Sequence, residues 1–205
     1  MIAVVTGGSG GLGRAICAEL EVRRGYEVRS WSRRDGVDAT DEAAVQRAAA
    51  ELPSWEVLVN NAAVLVPKAV ADTTLADWST TLAAGLTATF LCSREAFRRM
   101  RPGGVIVNVS SLSGVRDIEK FARMAAYVAA KSGLAGLTEV LAVEGRALGI
   151  RVNAVSPGSI DTAMLALSGA PREPSLQPAQ VARIVGWLAS EESAPLSGAN
   201  LRIDP

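Results

Sequence analysis

Short β-branched runs alternate with longer Ala- and Leu-rich segments of helical period along this chain, and few folds accommodate that alternation. Residues 2–6, 26–31, 57–60, 105–110, 150–156 and 201–203 read as six strands. Ile2 to Thr6 is apolar almost throughout, as a strand covered on both faces is. Helices are predicted over 12–24, 41–51, 75–100, 124–148 and 178–190, with breaks at Gly25, Pro53, Pro102 and Gly149. A parallel strand needs a crossover of about a dozen residues or more, and such helices supply it. The predicted fold class is α/β: a single-domain, Rossmann-like, doubly wound parallel sheet of about six strands with helices on both faces, residues 1–205 forming one domain.

Composition then removes whole classes of chemistry. The chain has no histidine, which excludes Ser-His-Asp and Cys-His nucleophiles, imidazole bases and His-containing metal sites. Cys17 and Cys92 lie in apolar helical patterns and read as buried thiols, so no metal site is expected. Lys and Arg number 21, as do Asp and Glu, leaving no net positive field to hold nucleic acid or an anionic membrane. With no basic leader and no apolar run approaching ~20 residues, a cytoplasmic protein without a membrane partner is expected.

Three segments carry chemistry. Thr6-Gly7-Gly8-Ser9-Gly10-Gly11-Leu12-Gly13 joins the first strand to the first helix, where backbone N–H groups and the positive helix end bind a pyrophosphate. A tight turn alone also selects glycine. Tyr127 and Lys131 stand one helical turn apart, where an ammonium favours the phenolate and makes the phenol a better acid. The alternative is a surface tyrosine packed on a lysine stem. Ser110 and Ser111 end the fourth strand at the carboxyl edge of the sheet, where open α/β folds bind ligands, although serines there also form turns.

Together these segments resemble the short-chain dehydrogenase/reductase family over nearly the whole chain. Thr6, Gly7, Gly11 and Gly13 match its glycine signature, with Ser9, Gly10 and Leu12 in the same turn. Asn60-Asn61-Ala62-Ala63 is similar to the family's Asn-Asn-Ala-Gly, and Pro157-Gly158-Ser159-Ile160-Asp161-Thr162 to the segment that holds the nicotinamide carboxamide. The resemblance implies a catalytic set of Ser111, Tyr127 and Lys131. Tyr127 is the general acid and base, Ser111 orients the carbonyl oxygen, and Lys131 lowers the phenol pKa and binds the nicotinamide ribose. It implies cofactor contacts from Gly7, Ser9, Gly10, Gly11, Leu12, Gly13, Asn60, Asn61, Ala62, Tyr127, Lys131, Pro157, Gly158, Ile160 and Thr162. Arg33 and Arg34 at the end of the second strand favour NADP, with NAD as the alternative because Asp35 lies nearby. The expected function is hydride transfer between the nicotinamide cofactor and a small-molecule carbonyl or alcohol, in a homodimer or homotetramer. The alternative is a non-catalytic dinucleotide-binding regulator of the same fold.

The chain departs from the family pattern in three places. Seven positions after Trp78, where relatives carry a catalytic Asn, stands Gly85. After the second strand relatives have a crossover helix and a further strand, yet here only a few residues separate Arg34 from Asp38, so the adenine edge is expected to be open. Asp38 is similar to the family's adenine-contacting Asp, or it caps a helix. Ser111 and Tyr127 are sixteen positions apart, which enlarges the loop carrying Arg116, Asp117, Glu119, Lys120 and Arg123. That loop lines the substrate entrance or is plain solvated surface. Met164, Leu165, Leu167, Pro171 and Pro174 suggest an apolar lid.

Overall fold

Val4, Val5, Leu58, Val59, Ile106, Val107 and Val155 are all fully buried, consecutive residues included, because each strand that holds them is covered on both faces. The computed structural model describes residues 1–169 and 173–204. The strands are β1 (Ile2–Thr6), β2 (Glu27–Trp31), β3 (Val57–Asn60), β4 (Val105–Val109), β5 (Arg151–Pro157) and β6 (Asn200–Ile203). Among the described residues they form one parallel sheet in the order β2-β1-β3-β4-β5-β6. The chain steps from β1 to β2 on one side and then to β3 on the other. The strand order therefore reverses between β1 and β3 and opens a crevice at their carboxyl ends.

Helices α1 (Gly11–Ala18) and α7 (Pro178–Leu188) cover one face, where Ile16, Leu20, Val185 and Leu188 pack on Val5, Val59 and Val107. On the other face Val45 of α2 (Glu42–Ala50), Leu91 of α4 (Ala88–Arg99) and Leu141 of α5 (Ala125–Gly145) pack with Trp31 and Trp55 on Val4, Leu58 and Ile106. Local chemistry sets the ends of these helices. Asp41 caps α2 by accepting from the N–H groups of Ala43 and Ala44, and Thr74 and Asp77 form a reciprocal capping box at α3 (Leu75–Leu82).

Several elements differ from expectation for identifiable reasons. The single helix predicted over 75–100 is α3 and α4 joined by a π-turn, Ala83–Thr87, which contains Gly85. The first helix passes into a similar π-turn over Glu19–Arg23. Each such turn is only five residues long, shorter than the window of about 11–18 residues over which a helical period is read, so periodicity does not resolve it. A short helix, α6 (Ala163–Ser168), lies inside the stretch read as an apolar lid, where no helix is predicted. With its continuation to Leu148, α5 is long and apolar enough to cross a membrane, contrary to the expectation of no such run. It packs against β5 and carries the buried Lys131. Pro171 of the predicted lid lies outside the described residues.

Candidate active site

The crevice at the carboxyl ends of the strands is a cleft of about 820 Å³, and the glycine-rich turn forms its floor. Gly7 has φ +65°, a left-handed conformation that favours glycine. A Cβ at Gly13 would stand 2.1 Å from the Gly7 carbonyl oxygen, so the first turn of α1 lies directly against the preceding loop. Gly10 is the N-cap of α1 and no side chain caps that end, which leaves its first N–H groups facing the cleft. Bare backbone, absent Cβ atoms and a positive helix end together fit a dinucleotide pyrophosphate. The Thr6 hydroxyl accepts from the N–H groups of Asn61 (2.9 Å) and Ala62 (3.0 Å), while the Asn61 amide donates to the carbonyls of Thr6 and Gly7. These bonds tie the β1 loop to the β3 loop across the switch point.

The cleft is lined by Gly7, Ser9, Gly10, Gly11, Leu12 and Gly13 from the first loop and by Asn61 and Ala62 from the β3 loop. Pro157, Gly158, Ile160 and Thr162 line it from beyond β5, and Arg33, Arg34 and Asp38 from beyond β2. Asn60 stands apart. It was expected among the cofactor contacts, but its side chain is buried in the core, where its amide donates to Ser93 Oγ (3.1 Å) and Asn108 Oδ1 (2.9 Å). Asn108 in turn donates to Thr138 Oγ1 at 2.9 Å, so one polar chain links β3, β4, α4 and α5 beneath the site. Asn60 and Asn108 are register partners on adjacent strands, and two Asn residues near the carboxyl ends of otherwise apolar strands were the available sequence signal.

Ser111, Tyr127 and Lys131 meet at the other end of the cleft. The turn Leu112–Gly114 after β4 packs on α5 so closely that a Cβ at Gly114 would stand 2.5 Å from the Lys131 carbonyl carbon. Ser110 Oγ donates to the Lys131 carbonyl (3.2 Å) and Ser132 Oγ to that of Gly114 (3.3 Å). This stitching brings Ser111 within hydrogen-bond reach of the Tyr127 phenol. Lys131 is buried; its ammonium donates to the Val109 carbonyl at 2.7 Å and lies 5.7 Å from the centre of the Tyr127 ring.

Burial raises the phenol pKa above its ordinary value, and the hydrogen bond with Ser111 opposes that rise. Burial also pushes the Lys131 ammonium down to about 8. The helical spacing of Tyr127 and Lys131, like the resemblance, predicts a phenol made more acidic by Lys131. In the structure the net direction is upward, because desolvation of the phenol outweighs the hydrogen bond with Ser111. At neutral pH Tyr127 is therefore a protonated acid beside a charged lysine.

At the adenine end, the two side-chain types proposed to choose the cofactor separate. Arg33 and Arg34 line the cleft, whereas the Asp35 carboxylate is held by the hydroxyls of Ser30 (2.6 Å) and Ser32 on the far side of the turn. Asp38 accepts from both the N–H (2.9 Å) and the hydroxyl (2.7 Å) of Thr40, which pull its pKa down and fix its turn. From the enlarged loop, Ile118, Glu119, Phe121 and Met124 line the cleft. Arg123 pins that loop by donating to the Pro67 carbonyl at 2.9 Å, and Lys120 donates to the Val115 carbonyl.

Gly85 sits in the π-turn, and a Cβ there would meet Ala130 Cβ at 3.3 Å, next to Lys131. The small residue lets α5 approach. Gly85→Asn is accordingly expected to lower the thermal midpoint, at an overpacking cost of about 1–3 kcal/mol, without raising turnover. A faster enzyme of unchanged midpoint would show that the missing amide limits the reaction.

Comparison with known proteins bears on this arrangement. Residues 35–205 match a family model described as Enoyl-(Acyl carrier protein) reductase. The chain is 36% identical over 239 aligned positions to cis-4-hydroxycyclohexanecarboxylate dehydrogenase of Sinomonas cyclohexanicum, covering 99% of this chain and 94% of that protein. The alignment is longer than the chain, so that relative carries segments absent here. The structure of BdcA in complex with NADPH superimposes with a TM-score of 0.89 at 31% identity, covering 99% of this chain and 92% of that one. A short chain dehydrogenase from Burkholderia cenocepacia in complex with NADP gives 0.88 at 30% identity, with 98% and 95% covered.

Proposed function

The chain belongs to the short-chain dehydrogenase/reductase family, and from that premise we propose that it is an NADP(H)-dependent oxidoreductase converting ketones or aldehydes to alcohols, or the reverse, with Tyr127 as general acid and base. The observation that carries the reading is the convergence of a half-buried phenol, a serine hydroxyl and a buried lysine ammonium in one cleft with a pyrophosphate cradle. A bound nicotinamide dinucleotide supplies or accepts the hydride. Ser111 Oγ holds the carbonyl oxygen beside the phenol, and Tyr127 gives that oxygen its proton in reduction or takes it back in oxidation. Lys131 is anchored by the Val109 carbonyl and lines the cleft, where its remaining N–H groups would hold the nicotinamide ribose.

Leu112, Ile118, Phe121, Met124, Met164 and Leu165 line the same cleft as Tyr127, which supports an apolar carbonyl or secondary alcohol as substrate. The preference for NADP rests on Arg33 and Arg34 facing the cleft while Asp35 is turned away; the NADPH and NADP complexes of two similar proteins support it. Exposed Trp78, Phe90, Val140 and Val143 around α3, α4 and α5 support packing of these helices in a homodimer or homotetramer, in a protein we place in the cytoplasm.

The test is a panel of ketones and aldehydes with NADPH and NADH, run on wild type, Arg33→Ala and Arg34→Ala. Hydrogen bonds to charged groups contribute about 1.5–3 kcal/mol, so the arginine changes are expected to raise KM for NADPH by about 10- to 100-fold and to leave KM for NADH nearly unchanged. An equal effect on both cofactors would refute the assignment of a 2′-phosphate to these arginines.

A further inference from the structure

β2 has a neighbour on one side only. Glu27 donates its N–H to the Met1 carbonyl at 2.9 Å, and the Trp31 carbonyl accepts from Gly7 at 2.8 Å, so the odd-numbered residues of the strand turn their backbone groups toward β1. By the two-residue alternation of a strand, Val28 and Ser30 turn their N–H and C=O groups outward. Among the described residues no backbone group meets them there. Beside this edge runs an open groove of about 460 Å³, walled by Arg29, Trp31, Val37, Ala48 and Leu52, among others. The strand has neither the proline nor the bulge that commonly blunts a bare edge.

The charges on the edge select what fits it. Glu27 and Arg29 stand on the same face, are 57% and 51% exposed, and pair with each other within the strand. Two opposite charges placed symmetrically about Val28 are self-complementary under a two-fold axis. If a second copy of β2 runs antiparallel with the axis at Val28, each Glu27 lies opposite the other copy's Arg29, and the outward groups of the two Val28 residues pair. Moving the axis to Arg29 sets arginine against arginine, and moving it to Ser30 loses both ion pairs. Like charges directly opposite destabilise a strand pair, so the sequence fixes one register.

We propose that the free edge of β2 is a docking surface for a second copy of this chain, paired antiparallel about Val28 so that two sheets run on as one. The contact is isologous and closes on itself, and it lies apart from the exposed apolar residues of α3, α4 and α5.

Sedimentation equilibrium over a concentration series tests it, using wild type, Glu27→Arg, Arg29→Glu and an equal mixture of the two variants, each checked for wild-type circular dichroism. Each variant alone presents like charges to its own copy, and its mass is expected to fall to half that of wild type. The mixture is expected to regain the wild-type mass, because one variant then carries two cations and the other two anions along the same edge. The proposal is overturned if either variant alone keeps the wild-type mass, if the mixture stays at half, or if wild type is itself monomeric throughout the series.

Discussion

Tyr127→Phe is expected to lower kcat for carbonyl reduction by about 10²–10⁴-fold, the range a positioned proton donor contributes, while NADPH still binds. The substitution removes one oxygen from a phenol whose ring stays packed above Lys131, so the cleft keeps its shape. The cost falls on proton delivery and on the hydrogen bond with Ser111. The pH dependence follows from the same geometry. On the proposed mechanism, reduction needs the phenol protonated and Lys131 charged. Burial raises the pKa of the phenol, so Tyr127 stays in its acid form through neutral pH, and the first loss on the alkaline side is the Lys131 charge at about 8. In wild type kcat/KM for reduction is therefore expected to be flat below neutrality and to fall above about 8. In Tyr127→Phe the residual rate lacks dependence on the phenol. Near-wild-type turnover in that variant would remove Tyr127 from the mechanism.

The second large effect is on binding. Gly13→Ala places a methyl 2.1 Å from the Gly7 carbonyl oxygen and 2.9 Å from Gly8 Cα, all backbone that has no rotamer to escape into. The loop must move, and with it the uncapped N–H groups at the start of α1 that face the cleft. Overpacking costs about 1–3 kcal/mol even where side chains yield. NADPH affinity is therefore expected to drop by about 10- to 100-fold, read by quenching or enhancement of cofactor fluorescence. A thermal midpoint within a few degrees of wild type shows that the loop, and not the fold, has been displaced. Unchanged affinity would mean that the glycine turn is not the pyrophosphate cradle.

The parts of the molecule that were legible in the sequence are those set by local rules. Tyr127 and Lys131 share a face because four residues are one helical turn, whatever surrounds them. Ser111 falls at the carboxyl end of β4 because the apolar run Val105–Val109 stops there. The open edge of β2 followed from the small number of residues between Arg34 and Asp38, too few for a crossover. Contacts between distant segments were not legible. Asn60 and Asn61 are adjacent and alike, yet one is committed to the core with Asn108 and Ser93 and the other to the Gly7 loop, a division made by the pleat of β3. Asp35 lies beside Arg34 in sequence, but its carboxylate turns to the hydroxyls of Ser30 and Ser32 and away from the cleft that Arg34 lines. The opposing effects on the Tyr127 pKa depend on how deeply the phenol is buried, which no spacing encodes.

Hydride transfer at the Tyr127 end of the cleft is tested most directly by tracing the hydrogen itself. Wild-type protein is incubated with a cyclic ketone and NADPH carrying deuterium at both positions of nicotinamide C4, and the alcohol is analysed by mass and NMR. The expected product carries one deuterium on its carbinol carbon, and the yield collapses in Tyr127→Phe, which still binds the cofactor. Tight binding of the labelled cofactor with no deuterated alcohol from any carbonyl compound tried would contradict the account and leave a dinucleotide-binding protein without this chemistry.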